Sequence, residues 1–243
     1  MIQSVRIAMW SGPRNISTAM MRAWGNRPDT FVIDEPFYAF YLSATGKEHA
    51  GSDEVIASGE TEWQKVIAQL TGPIPNGKWI FFQKQMAHHL LPEVDREWLG
   101  AVTNCFLIRD PREVIASYLK KREDPTLPDL GFMQQAEIFD FVRTHTSSVP
   151  PVVDAKDVLE NPKRMLRLLC EAVDVEFSDS MLSWPPGLRE TDGIWASHWY
   201  GEVAKTTSFQ PYRPSHAKVP ARLQENYDRC REYYDRLYEY RLR

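Results

Sequence analysis

Two stretches of this chain carry residue types suited to holding an anion. In "SGPRNISTAM", residues 11–20, Gly12 and Pro13 make a turn and Arg14 adds a permanent positive charge. Ser17 and Thr18 then open a helix whose first N–H groups lack intrahelical acceptors. In "CFLIRDPREVIASY", Arg109 ends an apolar run and Ser117 follows eight residues later, so both can reach an anion lying along the intervening helix. Asp110, Pro111 and Glu113 form a helix start of capping-box type, in which side-chain carboxylates meet orphan backbone donors. The Gly-Lys-Ser/Thr ending of a nucleotide triphosphatase loop is missing from the first stretch.

Such loops need a scaffold that brings them together. Short β-prone runs at 5–10, 31–33, 79–83, 102–108 and 151–153 alternate with helical patterns at 17–24, 53–70, 111–121, 130–146 and 162–173, and a last helix is expected over 220–240. This alternation predicts an α/β fold, with a mainly parallel central sheet flanked by helices on both faces. Ligands of open α/β sheets gather outside the carboxyl ends of the strands, so the two loops are expected to hold opposite ends of one ligand. Residues 178–220, rich in Pro, Gly, Trp and Ser, read as a long ordered loop or lid over that site.

Length and composition bound the rest. The 243 residues fit one α/β domain, 1–243, and 43% apolar with 26% charged residues is ordinary globular composition. There is no run long enough to span a bilayer, and Arg6 with Trp10-Ser11-Gly12 interrupts the first apolar run. Met1 is therefore read as the start of a cytoplasmic protein without a membrane partner. A net charge of −4 argues against bulk attraction to nucleic acid, so any anion site must be local. Cys105, Cys170 and Cys230 are odd in number, far apart and in apolar contexts, which predicts reduced core thiols and no metal site. In the last helix Leu223, Tyr227, Cys230, Tyr234 and Leu237 make one apolar stripe. Burial against the chain's own core is its commoner use, and a homodimer seam the other.

The two loops together resemble those of the cytosolic and Golgi sulfotransferase superfamily, whose members use 3′-phosphoadenosine 5′-phosphosulfate (PAPS). The superfamily carries Pro-Lys/Arg-Ser-Gly-Thr/Ser-Thr for the 5′-phosphosulfate, and an Arg followed eight residues later by Ser for the 3′-phosphate. This chain has Pro13-Arg14-Asn15-Ile16-Ser17-Thr18, which departs at Asn15 and Ile16, and it has Arg109 with Ser117. Residues 151–177, a strand, an acidic turn and an Asn-Pro helix start, are similar to a further stretch of that superfamily.

The resemblance implies a P-loop NTPase-like sulfotransferase fold and a sulfuryl transfer from PAPS to a hydroxyl or amine of a small-molecule acceptor. It implies cofactor contacts at Gly12, Pro13, Arg14, Asn15, Ser17, Thr18, Arg109 and Ser117, with Lys205, Thr206 and Ser208 returning from a late loop. In-line transfer demands positive charge on the leaving side, for which Arg14 is the candidate, and a base on the attacking side. Glu35 in "DEPF" resembles a Glu-Pro segment of several sulfotransferases and is one candidate base.

The other base candidates lie in "FFQKQMAHHLLP", a partial match to a Lys-Thr-His-Leu-Pro stretch. There Lys84 takes the place of the lysine supporting the transferring group, Met86 stands where the family's histidine would be, and His88 and His89, two and three residues later, are the candidate bases. On a helix one of the two histidines is expected to face the site and the other to point away. Trp184, Trp195, Trp199, Tyr200 and Phe209 line an acceptor pocket, stack on adenine or belong to the core. Two other functions fit the anion loops: a nucleotide-dependent kinase on a related fold, and a non-catalytic nucleotide-binding module that lacks a base.

Overall fold

The computed structural model describes residues 4–120, 124–146, 148–215 and 217–243, so the expectations at Met1 and Lys121 lie outside the described residues. Five parallel strands, β1 (Val5–Ser11), β2 (Thr30–Asp34), β3 (Ile80–Met86), β4 (Thr103–Ile108) and β5 (Val152–Asp154), form one sheet in the order β2-β3-β1-β4-β5. The chain leaves β1 toward β2 and leaves β4 toward β5, in opposite directions. The crevice between the carboxyl ends of β1 and β4 is thus the topological switch point, and both anion loops begin there.

Alternation along each strand sends its side chains to two apolar layers. Ala8, Trp10, Phe81, Phe106 and Ile108 face one layer. Ile7, Met9, Phe82, Cys105 and Leu107 face the other. Helices α1 (Ser17–Gly25), α2 (Tyr38–Thr45), α3 (Ser52–Ser58) and α4 (Trp63–Thr71) follow β1 and β2. Beyond β4 come α5 (Pro111–Tyr118), α6 (Leu127–Leu130) and α7 (Phe132–Thr146), and beyond β5 come α8 (Ala155–Glu160), α9 (Pro162–Ala172), α10 (Ala196–Trp199) and α11 (Gln224–Tyr238). The first layer is closed by α4, α5, α7 and α11, and the second by α1, α8, α9 and the segment 181–209. Leu223, Cys230, Tyr234 and Leu237 of the apolar stripe are buried in the first layer.

The helix expected over 53–70 is two helices. A Cβ on Gly59 would lie 2.5 Å from that of Ala39, so the glycine lets the chain break and turn where it passes α2. Helices α2 and α8 were not anticipated. Within the segment read as an ordered loop or lid, Trp184, Ala196, Tyr200 and Phe209 anchor the chain in the second layer, with short helical turns at Ala196–Trp199 and Val203–Lys205. No helix among the described residues is long and apolar enough to cross a membrane.

Candidate active site

A cavity of about 750 Å³ opens above the carboxyl ends of β2, β3, β1 and β4. Its walls include Pro13–Ala19, Glu35, Lys84, His88, His89, Arg109 and Ser117, with Lys205, Thr206 and Ser208 on the late segment. Of the residues expected at the site, Gly12 is the exception. It is not in the wall; a Cβ there would lie 2.9 Å from the Leu130 carbonyl oxygen, so this glycine serves the close approach of the loop to α6.

Over β1 and β4 the cavity is built from backbone and cations. Arg14 adopts φ +56°, a conformation costly for a residue with a side chain, and its carbonyl accepts a 2.8 Å hydrogen bond from Arg109 Nη1. Its Nε donates to Ser117 Oγ at 3.1 Å. Among the described residues, no carboxylate lies within 4.0 Å of Arg14, and burial together with Arg109 lowers the pKa of its guanidinium. Two neighbouring guanidiniums, one without a counter-ion, make a place where an anion is stabilised.

Helix α1 starts beside them. Its N-cap is Ile16, and no side chain caps it, so Ser17 and Thr18 are not cap residues. Asn15 Oδ1 accepts from the Ile16 amide at 2.8 Å, and Asn15 Nδ2 donates to Leu107 O at 2.9 Å. The asparagine therefore pins the loop to β4. Gln135, buried on α7, donates to Trp10 O at 2.9 Å and Leu107 O at 3.0 Å, which holds the ends of β1 and β4 at fixed separation.

Glu113 differs from its expected role. Asp110 caps α5 by accepting from the Arg112 amide, whereas Glu113 takes Arg109 Nε at 3.0 Å and the Tyr212 hydroxyl at 2.6 Å. It orients Arg109 and ties the late segment to α5. The attraction of the arginine beside it outweighs the cap interaction that spacing alone suggests. Tyr212 and Arg213 of the same segment also line the cavity, and no local motif marked either one.

Over β2 and β3 the chemistry changes. Lys84, buried at the end of β3, donates to Asp34 Oδ1 (2.8 Å), Glu35 Oε1 (2.5 Å) and the Tyr200 hydroxyl (2.7 Å). An ammonium has three donors, so this one is fully engaged. Asp34 also accepts from the Tyr200 hydroxyl and from the Gly193 amide, which draws the late segment down over the site. Glu35 sits at φ +42° just beyond β2, with its amide donating to Lys84 O. Burial, partly offset by Lys84, raises its pKa.

His88 and His89 lie in a three-residue 3₁₀ turn, Ala87–His89, and not on an α-helix. Both line the cavity, contrary to the expectation that one points away. Tyr38 and Tyr41 of α2 stack on His89 with centroids 4.8 and 4.6 Å apart. Burial pushes the His88 pKa down to about 3 and that of His89 well below its ordinary value, so both rings are neutral near pH 7. Of the five aromatics expected in the late segment, Trp195, Trp199 and Tyr200 reach the cavity, while Trp184 and Phe209 pack in the core.

Comparison with known proteins places this arrangement. A family model described as a sulfotransferase domain matches residues 5–223. A curated relative, branched-chain-amino-acid aminotransferase-like protein 1 of Arabidopsis thaliana, is 32% identical over 203 residues, 84% of this chain. The chain spans 36% of the length of that relative. Among solved structures, the sulfotransferase domain from the Synechococcus PCC 7002 olefin synthase matches with a TM-score of 0.60 and 16% identity, covering 99% of this chain and 96% of that one. The sulfotransferase domain from the curacin biosynthetic pathway matches with a TM-score of 0.55 and 14% identity, covering 100% and 99%. At these identities the two structures establish a shared fold.

Proposed function

The chain belongs to the sulfotransferase-domain family, and from that membership and the cavity's two unlike halves we propose that it transfers a sulfuryl group from PAPS to a hydroxyl or amine of a small molecule. The observation that carries this reading is Arg14, half-buried beside Arg109 with no carboxylate partner among the described residues, at the N-terminus of α1, which no side chain caps. That donor set suits a dianionic or trianionic group. PAPS, when bound, supplies the sulfuryl group and leaves as adenosine 3′,5′-bisphosphate.

Arg14, Ser17, Thr18 and the α1 amides bind the phosphosulfate end and stabilise charge on the leaving oxygen. Arg109 and Ser117 take the 3′-phosphate, and Lys205, Thr206 and Ser208 close on the nucleotide from the late segment. Lys84 is held by three acceptors, so it orients Glu35 and Asp34 and lends the site its charge through them.

Glu35 is the base. Its raised pKa makes it a better proton acceptor than an ordinary carboxylate, whereas an imidazole whose conjugate acid has a pKa of about 3, as at His88, holds a proton poorly near pH 7. His88 and His89 shape the acceptor wall. The test is transfer from sulfur-labelled PAPS to a mixed panel of alcohols and amines in EDTA. Label is expected in acceptor without added metal; label that moves only when Mg²⁺ is restored, or not at all while the bisphosphate binds, contradicts the reading.

A further inference from the structure

The acceptor half carries an unbalanced charge. Asp34 and Glu35 share Lys84, and among the described residues no other lysine or arginine lies within 4.0 Å of either carboxylate. Arg22 is engaged by Asp192, with Arg189 beside both. Two carboxylates and one ammonium leave one negative charge over, in a site where the Asp34 and Lys84 side chains are each 1% exposed. The Asp34 oxygens are occupied by Lys84, the Tyr200 hydroxyl and the Gly193 amide. Glu35 Oε1 holds Lys84, while Oε2 accepts no hydrogen bond among the described residues and has His89 Nδ1 4.0 Å away. The free oxygen of a surplus carboxylate therefore borders the cavity.

Aromatic side chains share its cavity wall. Tyr38, His89, Trp195 and Tyr200 line this end, and the histidine, being neutral, does not repel a cation. Carboxylate and aromatic faces together are the chemistry that recognises an ammonium group. An alcohol would leave the surplus charge uncompensated, and an acid would add a like charge.

We propose that the acceptor is an amine, bound as its ammonium against Glu35 Oε2 within this aromatic wall, and that its nitrogen receives the sulfuryl group. This rests on the sulfotransferase reading and narrows it. One ammonium proton passes to Glu35 Oε2; the freed lone pair attacks sulfur; the bond from sulfur to the phosphate oxygen breaks, and its electron pair leaves with adenosine 3′,5′-bisphosphate. The nitrogen then loses a second proton to solvent, which gives the sulfamate.

Protein saturated with the bisphosphate is titrated calorimetrically with 2-phenylethylamine against 2-phenylethanol, and with choline against 3,3-dimethylbutanol. Each cation is expected to bind at least about tenfold more tightly than its neutral counterpart. Glu35→Gln should remove most of that preference; the choline pair on the unaltered protein needs no variant to fold. Equal or tighter binding of the neutral members, no binding of any probe, or a preference that survives Glu35→Gln overturns the proposal. With PAPS and 2-amino-1-phenylethanol, mass spectrometry should find the sulfamate, and the O-sulfate would overturn nitrogen as the acceptor. Failure of the bisphosphate itself to bind would remove the underlying reading instead, so the two failures are told apart.

Discussion

The two halves of the cavity are built on opposite electrostatic plans. Over β1 and β4, Arg14 and Arg109 lie close together, α1 presents its N-terminus, and Arg14 has no carboxylate partner among the described residues. Over β2 and β3, Lys84, Asp34, Glu35 and Tyr200 satisfy one another almost completely and leave a surplus of negative charge. The first half holds a cation with no carboxylate beside it among the described residues. The second is a preorganised network in which one carboxylate oxygen stays free. One half is therefore expected to lose bisphosphate binding when altered, and the other to lose amine binding, rate or stability.

The largest expected effect is in the second half. Glu35→Gln keeps size and hydrogen bonding but cannot take the acceptor's proton, so transfer should slow by roughly 10²–10⁴-fold with bisphosphate affinity almost unchanged. Single-turnover kinetics beside calorimetry check this. His88→Asn and His89→Asn are the controls: near-full turnover in Glu35→Gln together with a dead histidine variant would move the base to that histidine.

How far the sequence revealed each half follows from how each is assembled. The half over β1 and β4 is local: Pro13 to Thr18 and Arg109 to Ser117 are single strand-turn-helix units, so residue type and spacing were enough to locate the two units. Even there Glu113 was misread, because its partners Arg109 and Tyr212 include one 99 residues away. The acceptor half depends on distant pairs. Lys84 meets Tyr200 across 116 positions, and Tyr200 meets Asp34 across 166, and no spacing rule joins such residues. His88 and His89 were placed on a helix, but β3 runs on to Met86 and a tight turn follows, which turns both into the wall. The strands were found as short β-prone runs set between helical patterns. The break at Gly59 was hidden because only the packing of Ala39 makes it necessary.

Next in size is Lys84→Met, which strands Asp34 and Glu35 without their counter-charge. A loss of about 3–5 kcal/mol of folding stability is expected, read as a lower denaturant midpoint. An unchanged midpoint would mean that the network adds little. Arg14→Ala sharpens the contrast: it removes a charge that burial and Arg109 already disfavour, so stability should hold while bisphosphate binding weakens by at least about tenfold.

A smaller effect concerns pH. His88 has a folded pKa of about 3, below its unfolded value, so the unfolded chain binds the extra proton and stability falls as pH drops from about 6.5. The loss from this group approaches about 1.4 kcal/mol per pH unit between about 6.5 and about 3 and levels off below, and none of it is felt above 6.5. Stability curves of the wild type and His88→Asn should converge toward acid pH. Parallel curves would mean that His88 is accessible to water.

The proposed separate site for the second phosphate consists of Arg109 and Ser117, both in the cavity wall. Calorimetric titration of the unaltered protein with adenosine 3′,5′-bisphosphate and with 5′-AMP, in EDTA, tests it directly. The bisphosphate is expected to bind at least about tenfold more tightly, the worth of one charge-assisted hydrogen bond or more. Equal affinities for the two nucleotides would contradict it.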